Sequence, residues 1–505
     1  MNTINSKIQG AARVITLVSL LFLIVIGGIM VAVEIRPFWV DEWFIIYNLK
    51  TRAAGDMFTK LEFMQQFPRT YLASLKRFTA FFNYSYSSLR LPSYLVSLFS
   101  MALVWKVMKR IFEPAVYTRY LLTLVLISSF TFLKYYVEMK QYPMDILMSV
   151  VALWQLLELL EIDKIQTGFA MRYALLCQSF AVVPFFSYTY LLAIAPVYGV
   201  LFLQAISVIR SNADVGVKSK TLIRQWVPLI IGLASIATFY NIDVRQLATD
   251  AVMYDRWNFI MLDNNHKVLS FFMSAYSLFA QVGTGDLFEN VFGVLGVVSF
   301  IAGAVQVIKG WLRKEQSLDI QLRLYSILVV CVALVLFLLK KLPLGTPRLN
   351  VFTVPSITLL IIYGINSLPV KWSKVQIAIA SLLYLGLAGN VFVTYFNYFS
   401  SEEYGKQQKI YTNTTIAIQR AQSSRMPIFV LPGIAYPYET PVIDAGKPDP
   451  AIWVLQTFPA YNMQQQLPVY PIYPGKDLHD TWQKIGAGPD SALVGDGVDW
   501  RVMGR

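Results

Sequence analysis

The stretch Val14–Val33, VITLVSLLFLIVIGGIMVAV, carries no charged side chain and runs on to Trp39-Val40-Asp41-Glu42-Trp43. About twenty apolar residues are what a helix needs to cross a bilayer, so this run reads as a spanning helix and the acid pair falls just beyond it, at headgroup level. The run is longer than the apolar core of a usual signal peptide, lacks a small-residue cleavage pattern and continues into Glu34-Ile35-Arg36-Pro37. It therefore reads as an uncleaved anchor.

The rest of the chain repeats this pattern. Hydrophobic residues make up 56% and charged residues 14% of 505, above and below the soluble norm respectively. Apolar runs follow near 89–107, 117–134, 143–160, 171–188, 190–209, 224–242, 290–310, 322–340, 351–368 and 375–396. Runs of this length satisfy their backbone hydrogen bonds in lipid as helices, and they are too long for barrel strands. The expected fold is an all-α polytopic membrane bundle of about eleven transmembrane helices over residues 1–397, followed by a small extracytoplasmic α/β domain over 398–505.

Basic residues orient the bundle. Lys7 and Arg13, Lys106 to Arg119, Lys164 and Arg172, Arg210 to Arg224, Lys309 to Arg323, and Lys371 and Lys374 all fall on one side, which the positive-inside trend makes cytoplasmic. The N-terminus is then cytoplasmic, and Asp41, the loop 243–289 and the C-terminal tail lie outside. The net charge of +13 is explained by this topology and by acidic headgroups, so no nucleic-acid partner is implied. Cys177 and Cys331 both fall inside expected spans, far from any metal-binding or disulfide spacing.

In the first outer loop, 37–89, Tyr71, Leu75, Phe78 and Phe82 recur at helical spacing with Lys76 and Arg77 between them. This predicts an amphipathic helix that lies in the interface or plugs the bundle surface. The loop 243–289 holds Tyr254-Asp255-Arg256-Trp257, a helix-like segment over 271–279 and Gly283-Thr284-Gly285-Asp286. The tail shows strand-like runs at 428–431 and 467–470 among many Pro and Gly.

Ionisable residues at a membrane mouth are costly and mark candidate sites. Here they recur at outer junctions: Asp41 and Glu42; Arg90; Lys134, Glu138, Lys140, Gln141, Tyr142 and Asp145; then Lys340, Lys341 and Arg348. The last three break the positive-inside trend, which an anionic ligand such as a phosphate diester would explain, as would snorkelling to lipid phosphate. Adjacent acids on a helix diverge by roughly 100°, so Asp41 and Glu42 need not share a role, and an acid pair is also a common helix cap.

The order of Trp39-Val40-Asp41-Glu42 after a first span, Leu89-Arg90-Leu91-Pro92-Ser93, Tyr136-Val137-Glu138-Met139-Lys140-Gln141-Tyr142 and Leu344-Gly345-Thr346-Pro347-Arg348 resembles the GT-C membrane glycosyltransferases over about the first 350 residues. Within that family it resembles bacterial protein mannosyltransferase-like enzymes and lipid A aminoarabinose transferases. The resemblance implies transfer of a sugar from a polyprenyl-phosphate donor to a glycan, lipid or protein acceptor, in a bacterial inner (plasma) membrane. It implies Asp41 as the catalytic residue with Glu42 as second acid, Arg90, Glu138, Lys140, Tyr142 and Asp145 as substrate-binding residues, and Lys340, Lys341 and Arg348 as the donor-phosphate region.

The chain departs from the family in carrying Lys140 where Arg is usual, which weakens a bidentate role there. If a metal is used, a carboxylate set of Asp41, Glu42 and Glu138 would favour Mg2+ or Mn2+ over zinc, since His266 and His479 are the only imidazoles. Two other readings share the apolar architecture. A polysaccharide transporter would place charge near the bilayer midplane and show related halves, and a glycan polymerase or ligase using a diphosphate-linked donor would lack the first-loop acid pair. Asn83-Tyr84-Ser85 and Asn413-Thr414-Thr415 fit the glycosylation pattern and leave an endoplasmic reticulum setting open.

Overall fold

A computed structural model describes residues 2–33, 40–59, 66–112, 116–164, 168–210, 215–245, 267–283, 285–313, 317–344, 347–367 and 373–401, scattered positions between 405 and 423 with 61 and 315, and the segments 428–430, 469–471, 491–495 and 500–504. Among them the bundle is helical throughout, in the order α1 (Asn2–Ala32), α2 (Val40–Thr51), α3 (Arg69–Phe81), α4 (Tyr86–Ile111), α5 (Val116–Ser128), α6 (Phe130–Tyr135), α7 (Tyr142–Leu160) and α8 (Phe169–Val182). There follow α9 (Tyr190–Arg210), α10 (Val215–Phe239), α11 (Lys267–Ala280), α12 (Gly285–Leu312), α13 (Leu318–Leu338), α14 (Val354–Asn366) and α15 (Ser373–Ser400).

Eight of these segments are long and apolar enough to cross a membrane: those over Gly10–Ala32, Tyr86–Ile111, Tyr142–Leu160, Phe169–Phe186, Tyr190–Arg210, Val215–Val244, Leu287–Leu312 and Leu318–Leu338. Their outward faces carry apolar side chains at helical spacing. On α1 these are Val14, Leu17, Val18, Leu21 and Val25, and on α12 Val294, Val298, Ile301, Val305 and Ile308. Such stripes would be a liability in water and are what lipid solvates. The chain is thus a multi-pass membrane protein. Helices also stand where the three further runs were expected, as α5 with α6, α14 and α15.

The run expected over 117–134 is broken in two. Ser129 leaves the helical path and its side chain accepts the Phe132 N–H at 3.3 Å, capping α6 as a new helix. Centrally, α7 has 89% of its spanning window buried, packed against α4 and α9.

Ion pairs tie the helix ends at one side of the bundle. Arg110 of α4 reaches Glu158 and Glu161 at 2.6 Å each, Arg172 of α8 reaches Glu158 at 2.8 Å, and Arg224 of α10 reaches Asp163 at 3.2 Å. Arg323 of α13 pairs with Asp319 at 2.9 Å and donates to Ser367, just beyond α14, at 3.1 Å. Four of the cations that read as facing headgroups are thus spent on internal acids.

The amphipathic face expected in the first loop is α3, and it divides. Tyr71, Leu72 and Leu75 are buried against the bundle, whereas Phe81 and Phe82 at its far end are exposed. In the second loop α11 covers the expected 271–279 segment, and residues 246–266, with Tyr254 to Trp257, lie outside the described residues. The tail contains a four-stranded sheet of Ile428–Val430 (β1), Val469–Pro471 (β2), Ser491–Gly495 (β3) and Trp500–Gly504 (β4), ordered β2-β1-β3-β4. Strand β1 runs parallel to both neighbours and β3–β4 is antiparallel, so the two expected strand runs are adjacent strands.

Candidate functional site

At the end of the bundle opposite the ion-pair layer, α2 packs on α3 and meets α4 and the turn before α7 through Glu42. Glu42 in its first turn is wholly buried, and its carboxylate accepts from Arg90 Nη1 at 3.1 Å, Arg90 Nη2 at 3.4 Å and the Met139 N–H at 2.7 Å. Arg90, equally buried, also donates to the Val137 carbonyl at 3.1 Å and lies over the Tyr86 ring. One ion pair therefore joins α2, α4 and the 136–141 turn. Charge-assisted bonds to both oxygens and a backbone N–H make this a rigid joint.

The placement bears on the expected roles. Glu42 and Arg90 come together, with the backbone of the Glu138 segment, as a buried pair that holds the turn. Asp41 occupies the first turn of α2, and its side chain lies outside the described residues. Glu138, Lys140 and Tyr142 are all buried beside this joint, Tyr142 with its ring 4.6 Å from that of Tyr135. Lys134 is exposed. Among the described residues no three His, Cys, Asp or Glu side chains converge; of the carboxylate set weighed for Mg2+ or Mn2+, the Asp41 side chain lies outside them.

Asp145 is buried in the first turn of α7 and accepts from Ser187 Oγ at 2.5 Å. Close by stand residues that sequence reasoning passed over. Arg69 at the start of α3 gives its backbone N–H to Asp243 Oδ2 at 2.7 Å, and Tyr188 Oη donates to Asp243 Oδ1 at 2.6 Å. Burial pushes the Tyr71 phenol up, so it stays a neutral hydroxyl. The signal for this group was present in Asp243, an acid at the end of a spanning run, and in Pro68-Arg69-Thr70-Tyr71, where a cation opens the amphipathic segment.

Lys340 and Lys341 close α13. The Lys341 N–H donates to the Leu336 carbonyl at 2.8 Å and the Lys340 N–H to that of Phe337 at 2.9 Å, a Schellman motif in which the left-handed position, φ 55°, is held by Lys340. Both are exposed. Arg348 is half-buried in the short turn Pro347–Leu349. Asn350 Nδ2 donates to the Pro343 carbonyl at 2.7 Å, and Gln281 Nε2 donates to Thr353 Oγ1 at 2.9 Å. The turn Val351–Thr353 packs on α7 and α9, which brings this segment to the helix that carries Tyr142 and Asp145.

Fold and site together define a polytopic helical membrane protein with a buried ionic joint and polar clusters gathered at one end. Comparisons with family models, with curated proteins and with solved structures find no match.

Proposed function

We propose that the protein is a membrane glycosyltransferase that moves a sugar from a polyprenyl-monophosphate donor to an acceptor outside the cytoplasm. The observation that carries this reading is the Glu42–Arg90–Met139 joint, which fixes the backbone of the acid pair against the 136–142 segment where a lipid-borne donor and a soluble acceptor can meet. In this reading the chain makes eleven passes, with the ion-pair layer of Arg110, Arg172 and Arg224 cytoplasmic and the joint outside, in a bacterial inner membrane.

Asp41 takes the proton of the acceptor hydroxyl as the acceptor oxygen bonds to the anomeric carbon. The carbon–phosphate oxygen bond breaks on the opposite face, configuration inverts, and polyprenyl phosphate leaves with the electron pair. Arg348, with Lys340 or Lys341, stabilises the leaving phosphate by positioned charge. Glu42 acts through Arg90 and the turn, as a positioning residue. The loop 243–289 and the C-terminal domain read the acceptor, as variable loops on a rigid scaffold do.

The test is mass spectrometry of lipid-linked sugars in cells lacking the protein, complemented with wild type or with Asp41→Asn. A general base contributes about 10² to 10⁴ in rate. A polyprenyl-monophosphate sugar should therefore accumulate in the deletion and the mutant and fall with wild type. No change in any carrier-linked sugar would sink the transferase reading and bring transport forward.

A further inference from the structure

The guanidinium of Arg69 is 2% exposed and stands in an unusual pairing. Its Nε lies 3.5 Å from Asp243 Oδ1, but Nε and Nη1 make no hydrogen bond. Asp243 is already committed elsewhere, with Oδ1 taken by Tyr188 and Oδ2 by the Arg69 backbone. A purely structural Arg–Asp pair would close bidentately, and a buried donor left idle is costly. Tyr71 Oη faces Ser93 Oγ, and neither closes a well-formed hydrogen bond. Tyr71 and Tyr188 both lie within electrostatic reach of Asp145, and Tyr188 of Arg69 as well. Unspent donors and a carboxylate are thus gathered at one place.

We propose that Arg69, Tyr71, Ser93 and Asp145 grip adjacent hydroxyl groups of a sugar. Charge decides between a sugar and an anion. The Arg69 guanidinium already has a counter-ion in Asp243, 3.5 Å away, so it has little net charge to offer a phosphate, whereas a neutral hydroxyl pair requires none. A vicinal diol is neutral, and its oxygens accept from Arg69 while its protons go to Asp145. Phe67 and Tyr71, stacked on each other at 5.3 Å, give the cluster an apolar flank of the kind sugar C–H groups pack against. Ser93 follows Arg90 by three residues on α4, a rise of about 4.5 Å, which puts the cluster beside the Glu42 joint. That this sugar belongs to the donor rests on the transferase reading; the geometry adds which residues read its hydroxyls.

The test uses the full-length protein in nanodiscs and equilibrium binding of polyprenyl-phosphate mannose, glucose, galactose and arabinose, with bare polyprenyl phosphate alongside. Wild type should bind at least one sugar-bearing carrier more tightly than the bare one. Arg69→Gln should weaken that carrier about tenfold or more, and Tyr71→Phe and Ser93→Ala about threefold each, with bare-carrier affinity unchanged within about twofold. Because these two hydroxyls face each other without closing a well-formed bond, the last two variants should lose less than about 1 kcal/mol of stability, and their melting curves separate recognition from folding. An equal loss on the bare carrier would show that Arg69 takes phosphate, and a sugar preference that survives all three substitutions would mean the cluster only packs; either overturns this site alone. No preference for any sugar-bearing carrier in the wild type overturns both the site and the transferase reading.

Discussion

Arg90 and Glu42, 48 residues apart in the chain, meet with neither side chain accessible to solvent and Nη1 3.1 Å from Oε1. A buried pair of this kind adds little over an apolar pair of the same shape, yet breaking it is costly, about 3 to 5 kcal/mol, because a desolvated charge loses its counter-charge. Its value here is that it holds three segments in one register.

Glu42→Gln keeps an oxygen to accept the Met139 N–H and removes only the charge. It should destabilise the bundle by about 3 kcal/mol. Adding Arg90→Met should recover most of that loss, since both charges are then gone. Unfolding of the two singles and the double in detergent gives the coupling energy. A double variant no more stable than Glu42→Gln would show that the pair is not ionic in its effect.

Gly27 sets how closely α1 approaches the joint. A Cβ there would lie 2.6 Å from Tyr94 Cε2 and 2.8 Å from Tyr136 Cε2, and both rings are tethered to α1, Tyr94 through the Ile24 carbonyl at 2.6 Å and Tyr136 through that of Leu23 at 3.4 Å. Overpacking costs about 1 to 3 kcal/mol, more than the gain of up to about 1 kcal/mol from Gly to Ala in a helix. Gly27→Ala should therefore destabilise. At Gly28 the nearest atom is Tyr94 Oη at 3.8 Å, so Gly28→Ala should be neutral or stabilising. Equal melting of the two variants would remove Gly27 from this role.

The bundle was legible in the sequence because a spanning run is a local property: every expected run meets a helix. What escaped was long-range or geometrical. The break at Ser129 hides inside an uninterrupted apolar run. Arg69 and Asp243, 174 residues apart, announce nothing of each other, and the exclusion of Glu42 from solvent follows from a partner that spacing does not name. Arg110, Arg172, Arg224 and Arg323 gave the same side of the bundle by the positive-inside trend as their ion pairs now occupy, although the acids that hold them were not read.

Lys340 pays for its place in the Schellman motif. A non-glycine residue in the left-handed region is disfavoured by about 1 to 2 kcal/mol, so Lys340→Gly should stabilise the fold by about 1 kcal/mol. Lys341, outside that region, should give no such gain with the same substitution. If Lys340 is kept for its charge on a donor phosphate, Lys340→Gly will lower donor affinity while the protein becomes more stable. Paired denaturation and donor-binding curves check this, and a glycine variant that gains stability with unchanged donor affinity assigns the residue to lipid phosphate instead.

The two ends of the bundle make the orientation directly measurable. Phe81, at the end of α3 on the joint side, is 82% exposed, and Val215, at the start of α10 on the ion-pair side, is 75% exposed. With Cys177 and Cys331 replaced by Ala, each position can carry a single cysteine, Phe81→Cys or Val215→Cys, and both native cysteines lie in α8 and α13, away from the joint. A membrane-impermeant maleimide added to intact cells should label the Phe81 variant and reach the Val215 variant only after permeabilisation. Arg210, Lys218 and Lys220 flank Val215, so the positive-inside trend and the labelling must agree if the joint faces outward. Labelling in the reverse order would put Asp41 in the cytoplasm, where a nucleotide-activated sugar and not a polyprenyl-phosphate sugar would be the donor within reach.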